Sequence, residues 1–320
     1  MFTKNKYGIN GKVYFKGSIM TVYIAGNRGL TGTYMMNTWD QAVGGNSDTV
    51  DYRNFQQTYD HVKQYSPTQM VINAATVGGL MEDLDRSFDL YLTNMTIQNN
   101  LLSVASKLGI QQVLLQGSCC SYPSERPERK FHETDLLNGV PHPGYMPTAM
   151  CKIIGLEQCR SHNQLYKTTW TSAINTNLYG PGERTGKQAH VVGALMDKFV
   201  RAVKEDWTEV EIWGSGDQTR DMLFVEDAVD AHEYILNNKV YDAVNVCYGE
   251  DYKISELAQM IKKISGFQGR LWYNTDQPEG VKHRRLDNKR LCDLGWKPRF
   301  TMEEGLTKTY EWYATNDYTK

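Results

Sequence analysis

Apolar residues along this chain fall into short unbroken runs that alternate with longer stretches at helical spacing. Met20–Gly26 (MTVYIAG), Gln69–Ala75 (QMVINAA), Gln112–Gln116 (QVLLQ) and Trp170–Asn175 are brief apolar runs, the pattern of buried strands. Between them, Gly29 through Trp39 predicts a turn entering a helix. Phe88–Leu108 sets Leu90, Leu92, Met95, Ile97, Leu101, Leu102 and Ala105 near helical spacing and stops at Gly109. Thr148–Tyr166 predicts a further helix. Strands alternating with helices through residue 180 predict an α/β fold with a doubly wound parallel sheet. Beyond it the pattern is more mixed: helices over Val191–Val203 and Val225–Leu236, strands over Glu209–Trp213 and Ala243–Val246, and an amphipathic helix over Ile254–Ile264 with Ser255 as its cap. A second, smaller mixed α/β domain is expected there.

Composition narrows the classes. The 320 residues are 40% hydrophobic and 22% charged, with a formal net charge of −2, an ordinary globular balance rather than the basic one of a nucleic-acid binder. No run approaches the roughly 18 apolar residues of a membrane span. Residues 1–19 are basic without the apolar centre of a secretory signal, and are expected to form a floppy or loosely docked extension. Cys119, Cys120, Cys151, Cys159, Cys247 and Cys292 make no paired metal-binding pattern, so no metal is expected. Reduced thiols and a cytoplasmic setting are the expectation.

The first strand runs into Gly26-Asn27-Arg28-Gly29-Leu30-Thr31-Gly32, a GxxGxxG turn before a helix. Glycines let the backbone turn sharply and approach a pyrophosphate, and the helix start offers free N–H groups and a positive dipole end. The strand before it and the helix after it make a dinucleotide site the expectation, with residues 20–180 as a Rossmann-type dinucleotide-binding domain. Residues 181–320 would mainly form the substrate-binding domain, with about 216–245 returning to the first.

The GxxGxxG spacing resembles the extended short-chain dehydrogenase/reductase superfamily. Asn73-Ala74-Ala75, Gly117-Ser118, Lys152 and Asn177-Leu178-Tyr179-Gly180-Pro181 agree with it. Within that branch the chain is similar to the GDP-L-fucose synthases, from Met20 to about Tyr313. The likeness rests on AGNRGLTG, ATVGGL, GSCCSYP, TNLYGP, His190-Val191-Val192, WGSGDQTRDMLFVEDAVDA and ISELAQMI; the VGG of Val77–Gly79 and the CxYP of Cys120–Pro123 mark the subfamily. The resemblance implies an NADPH-dependent epimerase and reductase of GDP-4-keto-6-deoxy-D-mannose. It implies that Gly26, Asn27, Arg28, Gly29, Leu30, Gly32, Ala74, Ala75 and Lys152 contact the cofactor. A homodimer is implied through Phe88–Leu108 and Thr148–Tyr166.

Epimerisation beside a ketone needs a base on one face of the ring and an acid on the other. The resemblance assigns these roles to Cys120 and His190, a thiol and an imidazole with tunable pKa values. From the residues alone, Cys120 also reads as a small buried residue and His190 as a helix-start histidine; Cys119 and Cys151 read as core. On the substrate side the resemblance points to Asn177, Lys198, Trp213, Arg220 and Arg284. Arginine's planar fork suits phosphate, while Lys198 also reads as a solvated helix position and Lys282–Arg285 as a solvated basic loop.

Two departures stand out. The family's reductase step uses a serine, a tyrosine and a lysine; here Ser118 and Lys152 are present, but Thr148 stands four before Lys152 where the tyrosine belongs. An aliphatic hydroxyl does not ionise as a phenol does. Tyr145 lies three residues earlier, and would reach the site only if Met146–Thr148 were an insertion. The second departure is the segment between Gly32 and Asp51, which is short for the usual helix, loop and strand. Thr33–Tyr52 holds no Lys or Arg for a 2′-phosphate, leaving only Arg28 and Arg53 at its flanks. Three readings follow: an epimerase with impaired reduction, an epimerase alone, or another nucleotide-sugar epimerase or dehydratase. A non-catalytic nucleotide-sugar binding protein is the alternative from a different class.

Overall fold

Alternate residues of the strand runs pack into two separate cores, one on each face of a parallel sheet, as expected where helices cover both sides. The computed structural model describes residues 6–9, 12–15, 20–76, 86–125, 129–186, 189–277 and 282–316. In chain order the elements are β1 (Lys6–Ile9), β2 (Lys12–Phe15), β3 (Val22–Ala25), α1 (Leu30–Thr38), β4 (Ala42–Gly45), α2 (Phe55–Lys63), β5 (Gln69–Ile72), α3 (Ser87–Lys107), β6 (Gln112–Gln116), α4 (Met146–Tyr166) and β7 (Thr169–Asn175). There follow β8 (Asn177–Tyr179), α5 (Val191–Lys204), β9 (Glu209–Trp213), β10 (Thr219–Phe224), α6 (Val225–Asn237), β11 (Asp242–Val246), β12 (Asp251–Lys253), α7 (Ile254–Ser265), β13 (Arg270–Asn274), α8 (Lys289–Asp293) and α9 (Met302–Thr315).

Six strands form one sheet in the order β11-β7-β6-β5-β3-β4, every pair parallel. Val22, Ile24, Val71, Leu114 and Val244 face one core with Met35, Ala228 and Ile235 of α1 and α6. Tyr23, Ala25, Met70, Ile72, Val113 and Leu115 face the other, with Val62 of α2 and Leu101, Val104 and Ala105 of α3. This is the Rossmann-type doubly wound fold that the alternating pattern predicts. A buried polar ring ties α6 to the sheet: His232 Nε2 donates to Asn175 Oδ1 at 2.8 Å, and Asn175 Nδ2 donates to Gln116 Oε1. Burial holds His232 at about 3, so the ring is neutral.

The chain leaves β3 through α1 to reach β4 on one side, then crosses through α2 to β5 on the other side of β3. That reversal opens a crevice between the carboxyl ends of β3 and β5, where ligands bind in open α/β sheets. The short segment after Gly32 thus still holds a helix and a strand, joined across only Trp39–Gln41. Beyond the main sheet, β12-β10-β8 form a three-stranded sheet and β13-β9 a parallel pair.

Within residues 1–19, β1 pairs antiparallel with β2, apart from the other sheets. One expectation is corrected. Ser255 lies inside the first turn of α7 rather than capping it: Lys253 precedes the helix, and its N–H donates to Glu256 Oε2 at 2.8 Å. The Val77–Gly79 motif lies outside the described residues.

The three turn glycines differ in what a side chain would meet. Gly26 has φ +85°, and a Cβ there would sit 2.8 Å from the Ala74 backbone nitrogen. At Gly32 a Cβ would fall 2.3 Å from the Gly26 carbonyl oxygen, so the start of α1 packs directly on the turn. At Gly29 it would meet only that oxygen at 3.7 Å, an ordinary contact beside open space. We therefore expect Gly32→Ala to cost about 1–3 kcal/mol of folding stability from overpacking, and Gly29→Ala to cost less, because its φ of −68° suits alanine and its Cβ meets no close atom. Thermal unfolding of both variants checks this; equal losses would contradict it.

Candidate active site

The carboxyl edge of the sheet gathers the chemistry. Gly29 is the N-cap of α1 and makes no side-chain cap, so the first N–H groups of that helix are not taken up by a capping side chain. Gly26, Asn27, Arg28, Leu30 and Gly32 form the turn around it, and Ala74 and Ala75 follow β5 beside Gly26. A tight outer turn with free room at its middle glycine fits a pyrophosphate laid on a helix start. Farther out, Asn46 Nδ2 donates to Asn27 Oδ1 at 2.9 Å, and Arg28 is ion-paired with Asp48 just past β4. Arg53 is ion-paired with Asp51 at 2.8 Å. Both arginines flanking the short segment thus already face carboxylates.

β6 runs into Gly117-Ser118, followed by a single 3₁₀ turn over Cys119–Ser121. The Cys120 N–H donates to Ser118 Oγ at 3.1 Å. Arg284 Nη1 donates to Cys120 Sγ at 3.2 Å and lies 3.9 Å from Cys119 Sγ. Its guanidinium also covers the Tyr145 ring, 5.3 Å from the centroid. His190 is the N-cap of α5 and close enough to Cys120 for each to shift the other's titration. Its side chain is open to solvent by area. Even so, burial among surrounding groups is the leading influence and pulls its pKa down, with Cys120 opposing; an open cleft has both properties. The Cys120 thiol is held well below the usual thiol range first by hydrogen bonding from the free Cys119 thiol, then, against burial, by Arg284, Ser118 and His190. Cys119, only 4% exposed, moves the other way. Glu183, beneath the first turn of α5, is pushed up to about 8 by burial, so at neutral pH it places little negative charge near His190.

The geometry has known counterparts. Residues 22–247 match the family described as "NAD dependent epimerase/dehydratase family". The GDP-L-fucose synthase of Escherichia coli (strain K12) is 32% identical over 311 residues, 92% of this chain and 97% of that protein. The chain belongs to this epimerase/dehydratase family, in its GDP-L-fucose synthase group. GDP-L-colitose synthase of Yersinia pseudotuberculosis is 31% identical over 79% of this chain and 83% of that one. Among solved structures, the GDP-mannoheptose C4 reductase MlghC from Campylobacter jejuni, with NADP bound, superposes with a TM-score of 0.83 at 27% identity, covering 92% of this chain and 98% of that one.

Seen as an epimerase/dehydratase, the chain brings Ser118, Cys120, His190, Arg220 and Arg284 into one electrostatically connected cluster, with Tyr145 as an added member. Arg220, on β10, has its pKa lowered by burial and then by Arg284. Thr148 and Lys152 lie one turn apart on α4, so they share a face. Burial lowers the Lys152 pKa, opposed by Cys151. Asn177 is turned to the backbone, donating from Nδ2 to the Asp221 carbonyl at 3.1 Å. Lys198 and Trp213 belong to a different cluster. Lys198 Nζ donates to the Glu211 carbonyl at 2.7 Å and sits 5.5 Å from the Trp213 ring centre, while Trp213 Nε1 donates to Glu211 Oε2. Tyr145 directly precedes α4, so Met146–Thr148 are the first turn of that helix and not an inserted loop. Its ring nevertheless reaches the cluster, on the Arg284 side; burial raises its pKa, as does Cys120, while Arg284 and Arg220 oppose.

Proposed function

We propose that this protein epimerises GDP-4-keto-6-deoxy-D-mannose or a close GDP-4-keto sugar, and that its reduction step is impaired. What supports the reading is that Cys120, on the turn after β6, and His190, at the start of α5, lie close enough for their charges to act on each other. Cys120 takes the proton from the carbon beside the ketone. The electron pair of that C–H bond moves toward the ketone oxygen, and His190, in its protonated form, returns a proton to the opposite face. Arg220, together with the N-terminal end of α5, is suited to the substrate diphosphate. Names of relatives support a GDP sugar, and the colitose synthase keeps the choice of hexose open.

A reduced nicotinamide, when bound, supplies a hydride; the chain must supply a proton to the ketone oxygen. Ser118 can orient that oxygen, and Lys152 is suited to hold a ribose hydroxyl. Thr148 has no acidic proton to give in the neutral range, which favours the impaired reading. NADP is the proposed dinucleotide, supported by the NADP-bound reductase of similar fold, with Arg28 as the residue to exchange Asp48 for the 2′-phosphate.

We further propose a homodimer through α3 and α4. These helices are joined by Gln98 Nε2 donating to the Cys151 carbonyl at 3.1 Å and Gln158 Nε2 donating to Asn99 Oδ1 at 2.7 Å. They expose Phe88, Leu92, Ile154, Leu165 and Tyr166, beside a hollow of about 480 Å³. Apolar surface of this kind, rimmed by polar residues, marks association sites.

With GDP-4-keto-6-deoxy-mannose in deuterated water, the wild type should wash deuterium into the sugar while consuming little NADPH. Cys120→Ser and His190→Ala should each lower exchange by roughly 10²–10⁴-fold, and Thr148→Tyr should raise NADPH consumption. Binding without exchange would sink the epimerase reading; brisk NADPH consumption by the wild type would sink the impairment. Asp48→Asn should tighten NADPH up to about fivefold, the scale of an exposed ion pair, with NADH little changed; calorimetry that finds no difference removes Arg28 from the 2′-phosphate site. In light scattering the wild type should be dimeric and Leu165→Glu monomeric, whereas a monomeric wild type rules the interface out.

A further inference from the structure

Arg284 is only 8% exposed. A buried guanidinium cannot shed its proton and needs an anionic or strongly accepting neighbour. Among the described residues no carboxylate reaches it; its acceptors are Cys120 Sγ at 3.2 Å and Cys119 Sγ at 3.9 Å, and Tyr145 offers only the face of its ring. We infer that Arg284 is the counter-ion of a Cys120 thiolate in the resting protein, a positioning residue for the thiol and not solely a contact for the substrate. The proton lost by the thiol passes to solvent.

The arrangement is built rather than incidental. Tyr122, two residues past Cys120, donates from its hydroxyl to Asn245 Oδ1 at 2.7 Å. Asn245 Nδ2 donates to the carbonyls of Phe131 and Asp287, both at 3.0 Å. Phe131 N–H donates to the Arg285 carbonyl and Asp287 N–H to the Phe131 carbonyl, both at 2.9 Å. The strip carrying Arg284 is thus clamped, through one buried asparagine, to the turn that carries Cys120. The groups facing Cys120 from each packed element are Cys119 and Ser118 on its own turn, Arg284 on the strip before α8, His190 at the start of α5, Tyr145 before α4 and Arg220 on β10. The cations Arg284 and Arg220 favour the thiolate; Tyr145, neutral in this range, leaves the balance unchanged. Under the function proposed above, on which this part rests, the thiolate makes Cys120 the proton acceptor of the pair and leaves His190 to donate.

Alkylation with iodoacetamide across about pH 5–10, with the Cys120 peptide followed by mass spectrometry, reads the thiolate without any sugar nucleotide. The midpoint, not the rate, is the measure, because nucleophilicity falls as thiol pKa falls. The wild-type Cys120 midpoint should lie at least about one unit below the ~8.5 of a free cysteine. Arg284→Met should raise it by about one unit or more, reducing thiolate at lower pH by about tenfold, while Arg284→Lys keeps much of the shift. A wild-type midpoint at or above ~8.5 overturns the inference, even if Arg284→Met does not fold; so does an unchanged midpoint in folded Arg284→Met. A low midpoint without deuterium exchange would leave the thiolate standing and remove the epimerase reading alone.

Discussion

Parallel pairing is the constraint from which the rest follows. Six strands running the same way bring their carboxyl ends to one edge, and with helices on both faces every crossover must return along the sheet. The glycine turn after β3, the Asn73–Ala75 segment after β5 and the Ser118–Cys120 turn after β6 are therefore neighbours although they are far apart in sequence. The closeness is tight enough that Gly26 has no room for a side chain against Ala74. The reversal at β3 opens the crevice, and the packing of Gly32 on Gly26 fixes where the start of α1 points.

That edge concentrates cations in a poorly solvated place. Arg220, Arg284 and Lys152 all feel burial, and Arg220 is further disfavoured by Arg284. Such a cluster is stable only with negative charge or good acceptors nearby. Among the described residues the acceptors at Arg284 are thiols; under the proposed function the substrate diphosphate supplies charge near Arg220. Under that proposal binding and proton transfer draw on the same cations: Cys119 on its own turn is the first influence holding the Cys120 thiol low, and Arg284 adds to it.

Much of this was legible in the residues, and the gaps have physical reasons. Phe88–Leu108 and Gln112–Gln116 declare themselves because burial imposes a period on them. β4 does not: Ala42-Val43-Gly44-Gly45 has no β-branched alternation, since Gly45 must leave room for the Tyr23 and Tyr52 hydroxyls and Gly44 for the Ile24 carbonyl. α2 is polar apart from a narrow apolar stripe, with only Thr58 and Val62 buried. At the site, the glycine turn, Cys120 and His190 were readable as local motifs. The bond from Arg284 to Cys120 was not, because 164 residues separate them and only the Asn245 clamp brings them together. Lys198 was readable only as a cation; its capture by Glu211 and Trp213 comes from tertiary packing.

The substitution at Thr148 gains meaning from where the groups are mounted. The proposed proton-transfer pair for epimerisation hangs on the turn after β6 and the start of α5. Of the groups proposed for reduction, Thr148 and Lys152 sit on α4, one turn apart, while Ser118 shares the turn after β6. On the proposed reading, a small hydroxyl at Thr148 removes an acid from α4, while the β6 turn keeps its own ties through Ser118, the Tyr122–Asn245 clamp, Arg284 and the bond from Ser121 Oγ to the Ala149 carbonyl. On that proposal the two chemistries share the Ser118 turn but take their proton donors from different elements. Tyr145 does not restore the lost acid by default: its ring lies against Arg284, on the side of the thiol, and burial raises its pKa, the opposite of what a phenol needs to act as the family's lysine-assisted proton donor.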